Sequence, residues 1–433
     1  MPFTAKKLLT VIFLSALLVG PAVAAKTLTL DDCVDLALKN HPDAISARGN
    51  VSVAGGNLWN AFGNFLPYVS ASGQVSQTTG SIVVDGVVIS PNRTTKNYSL
   101  GASAQLTVFN GGRNIFNYLE ARASKARYEY LKEQSEQGLI LMVKTYYFNY
   151  LASRRILEVR EEAVKRGEEQ LKLAESKYEV GSASKSDVLK AKVQYGNDRL
   201  ALIDAENGVK KAYADLSYYI GIDVNSDNDF ATEYSTREYK GNEADALNFG
   251  MTNHPGFLAS EKNMAAAKNG LWSAYGQFLP TVSVYYSRNY QNEFWHQVND
   301  LSFADRRWSI STSVNFPIFT NFSRKAAVSS AKVSLNNARA SYYYSKNYVA
   351  REIKKAFLDM NKAKEKLNVV IENEAAAGED MSLVQEKYNL GAATILELLD
   401  AQVSLITAQY DKIQAEFDYN LAIATLDNAM GTK

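Results

Sequence analysis

The sequence predicts a mainly α-helical chain with a smaller transmembrane β part, built as two copies of one helix–strand–strand–long helix–helix unit. Three observations predict it: an internal repeat, segments of period-two alternation, and heptads sustained far beyond an ordinary globular helix.

The repeat is ordered. Asn40-His41-Pro42 returns as Asn253-His254-Pro255, and Phe65-Leu66-Pro67 as Phe278-Leu279-Pro280, both 213 residues on. Leu58-Trp59 returns at the same offset as Leu271-Trp272. Lys177-Tyr178-Glu179-Val180-Gly181 returns as Lys387-Tyr388-Asn389-Leu390-Gly391, and Asp187-Val188-Leu189 as Glu397-Leu398-Leu399, both 210 residues on. The first unit is therefore assigned to 26–222 and the second to 243–433, with the polar, aperiodic stretch 223–242 as connector.

Each unit opens on a helix, from about Leu30 to Phe62 in the first, ending before Pro67, which cannot continue it. Strands follow at about 68–78 and 98–109, and in the second unit at about 281–291 and 308–317. Tyr98, Leu100, Ala102, Ala104, Leu106 and Val108 alternate with Ser99, Gly101, Ser103, Gln105 and Thr107. Trp308, Ile310, Val314 and Phe316 alternate with Ser309, Ser311, Ser313 and Asn315. Such strands have one apolar and one wettable face.

The period then changes to seven. Val143, Tyr150, Leu157, Val164, Leu171 and Tyr178 form one stripe, and Val188, Tyr195, Leu202, Val209 and Leu216 the returning one. Ile353, Met360, Leu367, Met381 and Tyr388 form a third, interrupted at Glu374. Long coiled helices are expected over about 113–180 and 187–220, then 324–388 and 397–430; the first would be roughly 100 Å long at about 1.5 Å per residue.

Residues 1–25 read as a secretory signal: Lys6 and Lys7, the short apolar run Leu8 to Leu18, and the small-residue site Ala22-Val23-Ala24. The expected destination is the cell envelope or the exterior. No later stretch is apolar for the length of a transmembrane helix, and barrel strands escape that test. Four strands cannot close a barrel, and an open edge in lipid leaves backbone groups unpaired. Two chains would pool eight strands and three would pool twelve. The smaller barrel fills with its own side chains, so a homotrimer is the smallest assembly with a water-holding lumen. A soluble periplasmic coiled-coil scaffold or adaptor remains the alternative.

The net charge of +1 falls to −1 without the leader, so nothing favours a nucleic-acid partner. Cys33 is the only cysteine, which excludes an intrachain disulfide. No HExxH, nucleotide-binding glycine loop or paired-cysteine metal site occurs, so no enzyme activity, cofactor or metal is expected. His41 and His254 precede proline at equivalent positions, which reads as a repeated turn or packing role; His296 falls in a loop between strands.

The twofold repeat, FLP before a strand, the hairpin end Phe109-Asn110-Gly111-Gly112-Arg113 and the KYxxG…DVL turn together resemble the TolC-like outer-membrane efflux factors. The resemblance implies a trimer with a 12-stranded β-barrel in outer-membrane lipid, continued by a periplasmic α-helical barrel. It implies a passive duct in tripartite efflux or type I secretion, coupled through a periplasmic adaptor (membrane fusion) protein to an inner-membrane pump of ABC, RND or MFS type. It places the adaptor-contacting tips at Val180-Gly181-Ser182 and Leu390-Gly391-Ala392, and a periplasmic constriction at Glu397, Asp400, Tyr388 and Asp187. Glu397 and Asp400 lie three apart, on one helix side. The family's latch arginine corresponds to Ala393, so that link is missing.

Overall fold

The computed structural model describes residues 27–225, 228–232, 238–299 and 305–432. The leader expected at 1–25, and residues 226–227 and 233–237 of the connector, lie outside the described residues.

The chain runs α1 (Leu30–Asn40), α2 (Pro42–Gly63), β1 (Tyr68–Val84), β2 (Val87–Asn110), α3 (Arg113–Glu179) and α4 (Lys185–Ile220). It continues as α5 (Glu243–Asn253), α6 (Pro255–Gly276), β3 (Thr281–Asn292), α7 (Trp295–Asn299), β4 (Asp305–Asn315), α8 (Ser323–Asn389) and α9 (Ile395–Met430). α3 and α8 each span 67 residues, and α4 and α9 each span 36. At about 1.5 Å per residue the longer pair extends roughly 100 Å.

The single helix expected from Leu30 to Phe62 is two helices. α1 stops at Asn40, and Pro42 starts α2 at a first-turn position where its missing N–H costs nothing. His41 links them: its Nδ1 accepts the Asp43 N–H at 3.3 Å. α5 and α6 meet identically, with the Gly256 and Phe257 N–H groups donating to His254 Nδ1 at 3.1 and 3.3 Å. The repeated NHP motif is thus a helix stop, an imidazole N-cap and a restart. Burial holds the His254 pKa below its ordinary value, which keeps the ring neutral and able to accept.

The four strands form one antiparallel sheet in the order β1-β2-β3-β4. The first hairpin is longer than the alternation suggested. Val84 pairs with Val87 across Asp85-Gly86, whose φ angles of 52° and 81° fit a two-residue hairpin turn, so the stretch between the two expected strands closes up as strand. β4 stops at Asn315 rather than 317: its partner there, Thr281, is the first residue of β3, and Pro317 offers no N–H. The loop holding His296 contains α7, anchored by the fully buried Val298 and the Tyr98–Trp295 ring contact.

Around mid-chain, α1 packs on α3 and α4 in a core of Cys33, Ala37, Tyr147, Tyr150, Leu216 and Phe230. Phe230 belongs to the connector, which the sequence pattern left without anchor. Leu28 pairs with it as a parallel bridge, and Tyr147 Oη donates to the Ala231 carbonyl at 2.6 Å. Toward the far end of α3 the buried seam is not the stripe of large residues. Ala163, Gly167, Gln170 and Ala174 are buried, while Leu157, Val164 and Leu171 are half-buried and Tyr178 is exposed. Opposite them α4 buries Ala191 and Asp198. Small side chains sit on the helix contact and the large heptad members flank it. In α8 the expected stripe does lie inside, through Ile353, Met360, Met381 and Tyr388.

Where sheet meets helix, Gly111 has φ +71°, and a Cβ there would lie 2.1 Å from the Gly276 carbonyl oxygen at the end of α6. Gly111→Ala therefore combines a backbone cost of about 1–2 kcal/mol with a clash against main chain that cannot swing away. The heat-denaturation midpoint of the detergent-solubilised protein is expected to fall by more than that backbone cost alone would give; an unchanged midpoint would show that the junction opens freely.

Candidate functional site

Two regions carry chemistry that a single chain does not use up: the helical tips and the edges of the sheet.

At the first tip the α3 end closes with the Gly181 N–H donating to the Tyr178 carbonyl at 3.0 Å and the Ser182 N–H to Lys177 at 2.8 Å. The second tip repeats this, with Gly391 to Tyr388 at 3.2 Å and Ala392 to Lys387 at 2.7 Å. Both are paired helix-terminating bonds around a left-handed residue, and Gly181 (φ +76°) and Gly391 (φ +77°) supply it. The helices restart at once. Ser184 caps α4 with Asp187 in a reciprocal box, and Thr394 caps α9 with Glu397 in the same way. Val180 and Leu390 are left at the apices, 79% and 85% exposed.

The residues expected to form a constriction divide. Asp187 and Glu397 occupy equivalent third positions of their helices and are engaged as caps. Asp187 Oδ2 accepts the Ser184 hydroxyl at 2.8 Å, and Glu397 Oε2 accepts the Thr394 N–H at 2.7 Å. These bonds hold both carboxyls below their usual range. Asp400, one turn on, is exposed and lines a groove between α4 and α9 with Leu189, Val193, Leu396 and Val403. Tyr388 is buried in the second tip with Ile395, Leu398 and Met381. Its hydroxyl finds no hydrogen-bond partner among the described residues, and burial, then the Asp187 charge, pushes the phenol pKa up.

Sequence reasoning missed Lys177. Its ammonium lies 4.0 Å from the centre of the Tyr388 ring and donates to the Tyr388 carbonyl, tying the α3 tip to the α8 tip. The signal was present, since Lys177 opens the KYxxG motif, but nothing in one sequence says which aromatic face a lysine will cover. Ala393, where the arginine was absent, packs against the same tip core.

A buried polar layer lies further from the tip. Asp198 is almost fully buried on α4; its Oδ1 accepts from Gln194 at 2.9 Å and its Oδ2 from Gln402 of α9 at 3.5 Å. A Cβ on Gly167 of α3 would meet Oδ2 at 2.8 Å. Gln402 Oε1 has no partner among the described residues. Burial raises the Asp198 pKa, opposed by the Gln194 bond and by Arg160 and Arg166 of α3. Among the described residues no three His, Cys, Asp or Glu side chains converge as a metal-ligand set would.

The carboxyl of Asp198 is raised above its unfolded value, so its contribution to stability is present below that value and is lost as pH rises through the folded pKa. Asp198→Asn, whose amide can donate to Gln402 Oε1, is expected to raise the denaturation midpoint at about pH 7 and flatten its dependence down to about pH 4. A variant-minus-native difference in midpoint that does not grow from about pH 4 to pH 7, or a variant midpoint below the native one at pH 7, would contradict this.

No described helix is long and apolar enough to cross a membrane, so any crossing falls to the sheet. Among the described residues its outer strands, β1 and β4, each pair on one side only. Tyr68, Val69, Trp308, Ile310 and Val314 on them are exposed.

Known proteins share this arrangement. A family model described as outer membrane efflux protein matches residues 33–222 and 251–432. The outer membrane efflux protein BepC of Brucella suis is 24% identical over 425 residues, covering 97% of this chain and 89% of BepC. The outer membrane protein VceC of Vibrio cholerae superposes with a TM-score of 0.80 at 17% identity, over 93% of this chain and 96% of VceC. The Campylobacter jejuni CmeC outer membrane channel superposes with a TM-score of 0.81 at 18% identity, over 93% and 85%. The soluble-scaffold alternative therefore falls, and the mainly helical chain with its small sheet belongs to the outer membrane efflux protein family.

Proposed function

We propose that three copies of this chain form a passive export duct through the outer membrane. The observation that carries the reading is the pair of open sheet edges in a chain of this family. Each unpaired backbone group in hydrocarbon costs several kcal/mol, so the edges must close on other copies. Twelve strands enclose a lumen, and the Ser, Gly, Gln and Thr set between the apolar residues of β2 suits water inside it.

In this reading the two units, 26–222 and 243–433, are structural repeats flanking the 223–242 connector. Their coils continue the barrel as a helical tunnel in the periplasm. The apices Val180-Gly181-Ser182 and Leu390-Gly391-Ala392 dock an adaptor protein, which joins the duct to an inner-membrane pump. The likeness to BepC, named an efflux protein, supports export as the direction of use. The energy comes from the pump, because the chain presents no catalytic or nucleotide-binding constellation.

Asp400 is the acidic group best suited to face a narrow lumen, since Asp187 and Glu397 are committed to helix caps. Threefold symmetry turns it into a carboxylate ring that favours cations, and Glu397, exposed although it caps α9, adds a second. Tyr388 and Asp187 hold the tip closed together with Lys177, which supplies on the Tyr388 ring the positive charge that Ala393 lacks.

Planar-bilayer recording tests this. The native protein is expected to give a small, cation-selective conductance. Lys177→Ala is expected to raise it several-fold, and Asp400→Asn to move the reversal potential toward zero in a salt gradient. Native-level conductance in Lys177→Ala would remove that residue from the closure, and no conductance from folded native protein would defeat the duct itself.

Capping gives a separate check on the tips. Ser184→Ala or Thr394→Ala is expected to cost about 1 kcal/mol of stability. Either should also increase proteolytic nicking at the adjacent apex; protection equal to the native protein would mean the caps do not hold the turns.

A further inference from the structure

The apolar face of the sheet carries two arginines at one end. Directly opposed strand residues share a face, and every second residue returns to it. On β4 this face runs through Arg306, Trp308 and Ile310, and on β3 through Tyr290, Arg288 and Tyr286, opposite them in that order. Trp308, Ile310 and Tyr286 are exposed, and so is Arg288. β2 continues the face with small side chains, Ala102 opposite Arg288 and Ala104 opposite Tyr286. The four strands hold a single acid, Asp305, and its place opposite Gln291 puts it on the other face. The next acid along, Glu293, comes after β3 has ended.

These arginines stand at the end away from the coils. α3 and α8 leave beyond Asn110 of β2 and Asn315 of β4, whereas Asp305 opens β4 at the far end. With the coils in the periplasm, the start of β4 faces the exterior. β4 has 11 residues, roughly 33 Å of extended chain, and a tilt of about 40° leaves about 25 Å along the membrane normal. That is the height of the apolar band on an outer-membrane barrel, so Arg306 stands at its outer boundary, with Trp308 and Tyr290 in the aromatic girdle. A cation on the lipid side is costly unless it reaches the interface and meets an anion there. The Arg288 guanidinium lies 5.2 Å from the centre of the Tyr290 ring, and Tyr290 is two residues nearer the exterior, so the Arg288 stem already climbs out of the band. Arg288 and Arg306 are diagonal neighbours on the face, about 7–8 Å apart at the backbone.

We infer that Arg288 and Arg306 together hold a phosphate of a phosphorylated glycolipid in the outer leaflet, one lipid per chain, with its acyl chains lying along Ala102, Ala104 and Tyr286. A guanidinium fork meets phosphate oxygens in pairs, and two forks on one face with no acid between them make an anion seat. The occupant is a lipid rather than free phosphate because of what lies below the seat. From Tyr286 and Ile310 down to Val282 and Val314 the face is almost wholly apolar, so it matches a molecule that brings charge at one end and hydrocarbon at the other. The inference rests on the duct reading, which turns this face toward lipid, and adds to it a ligand and the two residues that take it.

Native mass spectrometry of the delipidated, detergent-solubilised protein tests this by titration with lipid A, with lipid A stripped of both phosphates, and with inorganic phosphate. The native protein is expected to take up to three lipid A molecules per trimer and at least fivefold less of the phosphate-free lipid. Millimolar inorganic phosphate is expected to leave the bound lipid A in place. Arg288→Gln/Arg306→Gln is expected to lower lipid A occupancy at least fivefold with the trimer mass unchanged. Arg307→Gln, one residue along and on the other face, is expected to bind as the native protein does. Native occupancy in the double variant, or equal uptake of the two lipids by the native protein, would overturn the site; the second comparison decides the matter even where the double variant fails to assemble. A loss in Arg307→Gln as large as in the double variant would reduce the effect to overall charge and overturn the site as well. Displacement of lipid A by inorganic phosphate would overturn the lipid as occupant. A folded protein that shows only single chains would instead defeat the duct reading.

Discussion

An antiparallel sheet that pairs on only one side of each outer strand is the constraint on which the rest depends. In water such an edge is a nuisance that lysines or a bulge can blunt. In hydrocarbon it is prohibitive, because nothing there replaces the missing hydrogen bonds. A chain that places β1 and β4 at open edges and carries exposed Tyr68, Val69, Trp308 and Ile310 on them is incomplete by itself.

The helical part meets a different problem with equal economy. Two helices of 67 residues must reverse direction at their far ends without fraying. Each does so with one left-handed glycine, two helix-terminating bonds and a reciprocal cap on the returning helix. Those turns use the carboxylates of Asp187 and Glu397, whereas Asp400, exposed like Glu397, caps neither helix. Lys177 over Tyr388 and the Asp198–Gln402 layer then join α3 and α4 to α8 and α9 within one copy. Neither link is rigid apolar packing. A cation over a ring and a buried carboxyl whose pKa is raised are both contacts that a modest change in environment can loosen.

Much of this was legible in the residues. The period changes marked strands and coils, and the motifs FLP and KYxxG marked where elements stop. What escaped has identifiable causes. The break at His41 was hidden because Pro42 at a first helical turn does not interrupt the apolar pattern around it. The length of the first hairpin was hidden because the runs Gln77-Thr78-Thr79-Gly80-Ser81 and Asn92-Arg93-Thr94-Thr95-Lys96-Asn97 carry no apolar alternation. The stripe of Leu157, Val164 and Leu171 looked like the seam, yet the contact centres on Ala163, Gly167 and Ala174, since side-chain size does not reveal which of two adjacent heptad positions faces the partner. Phe230 and Lys177 were unreadable for another reason: each acts through a contact far away in sequence. The family resemblance supplied the tips and the acidic positions, and the structure adds that two of the four proposed constriction residues already serve as caps.

The most direct test is the mass of the folded, detergent-solubilised mature protein, by sedimentation with the detergent density-matched or by native mass spectrometry. The account predicts a single species of three chains whose sheet resists heating until the oligomer itself dissociates. A folded single chain, stable with its sheet intact and needing no detergent, would contradict it.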